Sequence, residues 1–443
     1  MPSSSAGPDS GRPAPPSLWR DRDFRRLWVG QTASQLGEHT SLIVLPLFAV
    51  LTLDAGADRI GALRAAGQVP VLLLSLVAGA WVDRWRTRTV MVLTDIGRTA
   101  LLACAAAAGF LGLLGLPALF ATVFLAGALS VFFDVAYQAS LVRLVDREHL
   151  LRGNSALGGS RSAAQFGGPA LGGALVSLLS AAAGAAAGAA FFALSFLSIR
   201  GIRGGESTPT SSTPTSSTPT SSTRTSSQRP VPMRRRIQQG LAFVAADVSL
   251  RTVALASAAF QFFLAATLTV QLLFLPRELH LSGAAVGLAL AATGPGALAG
   301  SLLAARLPRR FGYGPVLVYA AGIGDAVMLC VPALHGSSAV TVPVLLAVNA
   351  VFGVFGQLVN VTVMAVRQAV TPDGMQGRVA ATVNFAGLGL APLGSLLGGH
   401  LAQEWGLRGG LLAVTAGMLL SPVLFAFSPL ARMGRSLPQE GAG

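Results

Sequence analysis

Apolar runs of 18 or more residues recur along the chain, each set off from the next by a short polar stretch. Wound as an α-helix, which rises 1.5 Å per residue, such a run crosses the roughly 30 Å hydrocarbon core of a bilayer. Twelve runs fit, at residues 27–52, 59–82, 89–112, 117–141, 155–178, 180–200, 248–275, 283–305, 315–334, 341–367, 379–402 and 408–430. The fifth and sixth come from one Ala/Gly-rich block whose length suits two short spans better than one long one. Between spans 6 and 7 lies STPTSSTPTSSTPTSSTRTSS (207–227), a five-residue repeat with almost no apolar content. It cannot bury a core and reads as a disordered tether. The pattern predicts an all-α integral membrane protein with twelve transmembrane helices in two six-helix, pseudo-symmetric halves. Its parts are a tail 1–24, a first half 25–200, a linker 201–236, a second half 237–430 and a tail 431–443. Just before span 7, Arg234, Arg235 and Arg236 stand beside Ile237, Leu241, Phe243 and Val244, which predicts a helix along the inner membrane surface.

Composition sharpens this picture. Of 443 residues, 52% are hydrophobic and only 11% charged, with a mean hydropathy of +0.62; soluble chains carry about a quarter charged residues. The net charge of +14 comes from 32 arginines and no lysine. Such a balance would suit nucleic acid, but placement decides otherwise. Arg20, Arg22, Arg25 and Arg26 precede span 1; Arg84, Arg86 and Arg88 follow span 2; Arg143, Arg147 and Arg152 follow span 4. Arg200, Arg203, Arg229 and Arg234 to Arg236 separate spans 6 and 7. Arg306, Arg309 and Arg310 follow span 8, Arg378 follows span 10, and Arg432 and Arg435 follow span 12. All those loops fall on one side, whereas the other side holds little beyond Arg59, Arg277 and Arg408. The expectation is a multi-pass cell-membrane protein with both termini cytoplasmic and no nucleic-acid partner. Residues 1–24 lack an apolar centre, so no cleavable signal peptide is expected.

Several chemistries find no support. Cys104 and Cys330, in spans 3 and 9, lack metal-ligand spacing and are expected as packing residues. The five histidines are scattered, with no His-Glu-x-x-His. No Gly-x-x-x-x-Gly-Lys loop is present to cradle a nucleotide. No metal, no cofactor and no catalytic residue is expected, and the chain does not read as an enzyme.

The halves echo each other. GAWVDRWRTR (79–88) follows span 2, and SLLAARLPRR (301–310) follows span 8. Span 5 carries Gly167-Gly168-Pro169 and Gly172-Gly173; span 11 carries Pro392, Gly394 and Gly398-Gly399. In these residues the chain resembles the major facilitator superfamily. Gly79, Asp83, Arg84 and Arg88 match its loop signature Gly-x-x-x-Asp-Arg-x-Gly-Arg-Arg, with Arg86 and Thr87 in place of the usual Gly and Arg. The second copy keeps Arg306, Arg309 and Arg310 but has Ala305 at the acidic position. Gly168, Pro169, Gly172 and Gly173 are similar to the end of the antiporter signature, where Ser155 and Ala164 replace earlier glycines. Asp23 to Trp28, Gln31 to Gly37, Phe133-Asp134 and Gly240 to Phe243 resemble the drug-efflux branch that includes the enterobactin exporter and macrolide efflux pumps. The resemblance covers about residues 23–430. It implies a monomer embedded in the lipid bilayer that exports a small organic molecule, of drug, antibiotic or siderophore type, in exchange for protons. An importer on the same fold and a non-transporting sensor remain alternatives.

The candidate site residues are polar groups that need a reason to lie in a membrane, since a charge at the centre of a spanning helix costs about 2.5–3.5 kcal/mol on insertion scales. Glu38 lies near mid-bilayer in span 1, and Gln31, Ser34 and Gln35 share its helical face at spacings of three and four. That stripe is expected to face a wet cavity, where Glu38 would exchange a proton; His39 points elsewhere and is expected to pack. Asp134, the second proton-coupling candidate, forms a patch with Tyr137 and Gln138 in span 4. Arg161 in span 5 wants a carboxylate, for which Asp134 is preferred and Asp95 competes, while Asp95 and Arg98 are themselves spaced to pair. Asp325 is expected to be structural. Gln261 and Gln271 in span 7 and Asn349, Gln357 and Asn360 in span 10 are candidates for a substrate cavity, because neutral amides orient a ligand without fixing its charge. Phe260, Phe262 and Phe263 are expected against lipid or core more than in a pocket. Asp83, Arg84, Arg88, Arg306, Arg309 and Arg310 are expected as a cytoplasmic charge latch between the halves. Gly168, Pro169, Gly172 and Gly173 would let span 5 bend and pack closely.

Overall fold

The computed structural model of the protein describes residues 19, 21–82, 85–144, 150–202, 233–336 and 340–435, and these form helices with no strand among them. The first six are α1 (Arg22–Leu51), α2 (Ala57–Val82), α3 (Thr87–Phe110), α4 (Leu116–Leu144), α5 (Leu150–Leu178) and α6 (Ala181–Arg200). After α7 (Met233–Ala246) come α8 (Val248–Arg277), α9 (Gly283–Ala291), α10 (Thr293–Ala304), α11 (Leu307–Phe311) and α12 (Tyr313–Val327). The chain ends with α13 (Thr341–Val370), α14 (Gln376–Glu404), α15 (Gly406–Met418) and α16 (Leu420–Ala426). Each of the twelve predicted runs is occupied by a helix or a helix pair. Among the described residues ten segments are long and apolar enough to cross a membrane, so the chain is a multi-pass membrane protein.

Local chemistry explains the breaks. The Ala/Gly-rich block divides at Ser180, which caps α6 by accepting a hydrogen bond from the Ala183 N–H at 3.0 Å. The eighth run is interrupted at Ala292, and Pro295 then enters the first turn of α10; proline is tolerated there because the first-turn N–H groups have no intrahelical acceptor. The twelfth run breaks in the same way at Leu419, ahead of Pro422. Cys104 and Cys330 differ from expectation: both are exposed on the helical surface and unpaired. The helix expected on the membrane surface is α7, and it packs on α14, with Gly240 against Arg378 and Thr382 and Gln239 accepting from Arg378 at 2.7 Å.

Three apolar clusters define the architecture. On the arginine-rich side each half has its own: Phe24, Leu27, Met91, Phe133 and Leu157 in the first half, and Leu250, Val253, Leu317, Val366 and Phe425 in the second. Toward the arginine-poor side a single cluster crosses between the halves, joining Leu45, Leu47 and Phe48 of α1 to Leu272, Phe274, Val286 and Leu411. Among the described residues the halves therefore share one apolar cluster at one face and keep separate clusters at the other.

Glycines make that contact possible. Gly168 and Gly172 of α5 lie against His39 and Thr40 of α1, while Gly173 meets Gly283 and Gly287 of α9 in the opposite half. The second half repeats the arrangement: Gly394 and Gly398 of α14 lie against Phe262 and Ala266 of α8, and Gly399 meets Ala57 and Gly61 of α2. A Cβ on Gly61 would sit 2.6 Å from the Ser395 carbonyl oxygen, so these crossings bring backbone onto backbone. α5 stays helical through Pro169.

Candidate functional site

Between the halves lies a cavity of about 820 Å³. Its walls come from α1, α2 and α5 of the first half and from α8, α9, α10, α12, α13, α14 and α16 of the second. The lining runs from Gln271 and Asn349 at depth to Arg367, in the last turn of α13, toward the arginine-rich side. At the other end the halves are tied by an ion pair from Arg277 to Asp54 at 2.6 Å, backed by Arg277 donating to the Ala55 carbonyl at 3.0 Å. Ser395 donates to Gln68 at 3.4 Å, and the Ala284 N–H donates to Ser177 at 2.6 Å.

The second half supplies the neutral polar lining. Gln261, Gln271, Asn349, Gln357 and Asn360 all border this cavity, together with Asn384 and Ser257, which sequence reasoning did not single out. Helical periodicity explains the convergence on α13, because Asn349, Gly353, Gly356 and Asn360 fall at spacings of four, three and four. Asn349 spends its Nδ2 on the Leu345 carbonyl at 2.9 Å. Gln271 is buried with neither amide atom partnered, so it holds an unused donor and an unused acceptor in the cavity wall. Phe260 also borders the cavity and stacks on Phe352 with centroids 6.3 Å apart. Phe262 and Phe263 do not line it; they pack edge-to-face at 5.1 Å.

The first half is organised around a charge cluster inside the bundle. Arg98 of α3 is fully buried, pairs with Asp95 one turn back, and lies 3.8 Å from Glu38 of α1. Its guanidinium is sandwiched by Phe133 at 4.5 Å and Phe192 at 4.3 Å, and it donates to Ser34 at 3.0 Å and Ser130 at 3.1 Å. Asp95 accepts further hydrogen bonds from Ser34 and Ser195. The two carboxylates differ in access: the Asp95 side chain is 0% exposed, while that of Glu38 is 28% exposed and borders a smaller pocket of about 110 Å³.

Several candidates land elsewhere than expected. Gln31, Ser34 and Gln35 are buried in the first half and do not line the large cavity. The stripe turns toward the Asp95–Arg98 pair, which satisfies Ser34 and leaves the Gln31 Oε1 without a partner. His39, expected to pack, borders the large cavity instead. Asp134 and Arg161 form no salt bridge among the described residues, although Asp134 lies in the field of both Arg161 and Glu38; Arg161 is exposed and does not line the large cavity. The realised pair is Asp95–Arg98, whose fixed i,i+3 spacing brings the groups together without any help from tertiary structure. Tyr137 packs at the edge of the first-half cluster, and Gln138 is exposed outside the cavity.

The latch residues are only partly placed. Asp83 and Arg84 lie outside the described residues; Gly79 belongs to α2. Arg88 donates to the Arg200 carbonyl within its own half. Arg306, Arg309 and Arg310 are exposed, with the Arg310 guanidinium over Phe311 at 5.3 Å. Besides Asn384 and Ser257, sequence reasoning missed Arg64, which borders both pockets. A lone arginine inside an apolar run was the available signal.

Known proteins fit this arrangement. The family described as transmembrane secretion effector matches residues 14–439. The multidrug efflux pump Tap of Mycobacterium tuberculosis is 26% identical over 427 residues, covering 91% of this chain and 92% of its own. Tap of Mycolicibacterium fortuitum is 26% identical over 418 residues, covering 89% and 93%. Among solved structures, the nucleoside transporter NupG superposes with a TM-score of 0.70 at 12% identity, over 91% of this chain and 98% of that one. A bacterial homologue of the iron transporter ferroportin, in an inward-facing state, superposes with a TM-score of 0.68 at 18% identity, over 91% and 98%. At such identities the structural likeness speaks for the fold alone.

Proposed function

Because the chain belongs to the transmembrane secretion effector family of the major facilitator fold, we propose that it is a secondary transporter exporting a small organic molecule of drug, antibiotic or siderophore type. The observation that carries this reading is a cavity between two halves that share an apolar cluster at one face and keep separate clusters at the other. The positive-inside rule favours a cytoplasmic assignment for the arginine-rich face, which supports a carrier loading from inside. Relatives that carry the name multidrug efflux pump support export over import.

Transport then proceeds by alternating access, the outer seal opening as the cytoplasmic face closes. Asp83 and Arg84 from one half, with Arg306, Arg309 and Arg310 from the other, latch that face when it closes. Protons drive the cycle in exchange for solute. Glu38 is the carboxylate suited to take one, because it shares Arg98 with Asp95 yet opens on a pocket that Asp95 does not reach. A proton on Glu38 removes its claim on Arg98 and loosens α1 from α3. Asp134, in the field of Glu38, is the second candidate.

The test is uphill transport in everted vesicles, using a solute first identified by an accumulation screen in a pump-deficient host. Uptake that collapses when a protonophore dissipates the pH gradient is expected. Uphill movement that survives the protonophore overturns proton coupling, and a protein that moves no solute down any gradient is a sensor instead.

A further inference from the structure

Two ionisable side chains at membrane depth, one basic and one acidic, lack a counter-ion among the described residues, and both border the same cavity. Arg64 of α2 has its Nε buried without a hydrogen-bond partner. Asp325 of α12 is 3% exposed, and its Oδ2 is likewise buried and unpartnered. Among the described residues no charged neighbour acts on either. Other charges nearby are accounted for. Glu38 shares the smaller pocket with Arg64 but lies 3.8 Å from Arg98. Arg367 also borders the cavity, but from the last turn of α13, at its mouth.

A buried acid or base without a partner gains from any solute group that arrives to pair with it, and a carboxyl there ionises fully only when a cation is offered. Here one acid and one base are presented from opposite halves. A lipophilic cation would satisfy Asp325 and leave Arg64 facing it, and a simple anion would do the reverse. We propose that the cavity selects amphoteric organic solutes, which bring a carboxylate-type group to the Arg64 guanidinium and a protonated amine to Asp325. The planar guanidinium fork suits a carboxylate, which accepts two parallel N–H hydrogen bonds from it. The stacked Phe260 and Phe352 offer an apolar surface for the body of such a solute, and the unpartnered amide of Gln271 offers a further donor and acceptor. A volume of about 820 Å³ lies within the range of roughly 300–1,000 Å³ common for small-molecule sites. The inference deepens the transport reading and rests on it for the fate of the solute, but the binding preference stands on the cavity alone.

The test uses full-length purified protein in lipid nanodiscs without any gradient. Three matched xanthene dyes serve as probes, with binding read by fluorescence anisotropy: an aminoxanthene free acid, which is zwitterionic; its methyl ester, which is cationic; and a hydroxyxanthene acid, which is anionic. The zwitterion should bind about tenfold more tightly than either of the others, as expected for one charge-assisted contact. Arg64→Gln should lower affinity for the free acid to that of the ester and leave the ester unchanged, while Arg64→Lys should retain part of the preference. Asp325→Asn should erase the advantage of the zwitterion over the anionic dye. Equal affinity for acid and ester in the unaltered protein overturns the proposal, as does failure to bind the zwitterion up to its solubility. Loss of all three dyes in a monodisperse Arg64→Gln protein overturns it as well. If the charge preference holds while vesicles move no solute, the transport reading fails and the amphoteric selection stands. Flux without the preference overturns the selection and leaves transport standing.

Discussion

The two halves share a helical plan but not a polar chemistry. The first half gathers Asp95, Arg98 and Glu38 in one network, with serines bonded to the Asp95–Arg98 pair and aromatic rings on both faces of the guanidinium. The second half has Gln261, Gln271, Asn349, Gln357 and Asn384 along the cavity and, among the described residues lining it, a single acid, Asp325. Paired charges demand fixed partners, since removing one strands the other. Neutral amides hold no such obligation and tolerate solutes of different shape. Under the proposed transport cycle, a duplicated scaffold has divided its labour: the first half handles the proton and lends Arg64 to the cavity, while the second supplies most of its polar lining.

That division can be broken by mutation. The largest effect is expected from Glu38→Gln, which should abolish gradient-driven transport in everted vesicles while leaving expression intact; full activity with unchanged dependence on the pH gradient removes Glu38 from the mechanism. Arg98→Ala should cost stability more than specificity, about 3–5 kcal/mol, because it leaves Asp95 and Glu38 buried without their cation. Thermal unfolding in detergent measures this, and a melting temperature within a degree or so of the unaltered protein would mean that the cluster is not structural.

Gly287→Val probes the seam instead of either half. Its new side chain would run into the Pro169 carbonyl and Gly173, a loss of roughly 1–3 kcal/mol where overpacking cannot relax. Flux should fall with it, whereas Gly159→Ala, with nothing within 4 Å of the new Cβ, should be silent. The smallest effect is expected from Gln357→Ala: a rise in KM of about threefold to tenfold, equivalent to one net hydrogen bond, with maximal rate retained. A fall in maximal rate without change in KM would place Gln357 in the conformational cycle and blur the division of labour.

Length and apolarity made the twelve helices legible, because a bilayer imposes a minimum run that few other contexts demand. The glycine pairs were legible too, although their partners were not: nothing local says that Gly173 meets Gly283 across the seam or that Gly399 meets Gly61. The spacing of Gln31, Ser34 and Gln35 fixed a shared face, but only packing decides that it turns toward Asp95 and Arg98 while His39 turns to the cavity. Asp95–Arg98 could be read from i,i+3 spacing, whereas an Asp134–Arg161 pair required guessing how two helices align. The amides of α13 succeeded because periodicity alone places them on one stripe.

The glycine seam has a thermal consequence. Few polar ties cross it, the main ones being Arg277 to Asp54, Ser395 to Gln68 and Ala284 to Ser177. The remainder is backbone sliding on backbone and the apolar cluster around Phe48 and Phe274. Water entering that cluster as the far side opens would be resisted mainly by its reluctance to solvate hydrocarbon, a resistance that weakens on cooling. Under the proposed cycle, temperature then joins salt, which screens the exposed Arg277–Asp54 pair, as a lever on how long this gate stays shut.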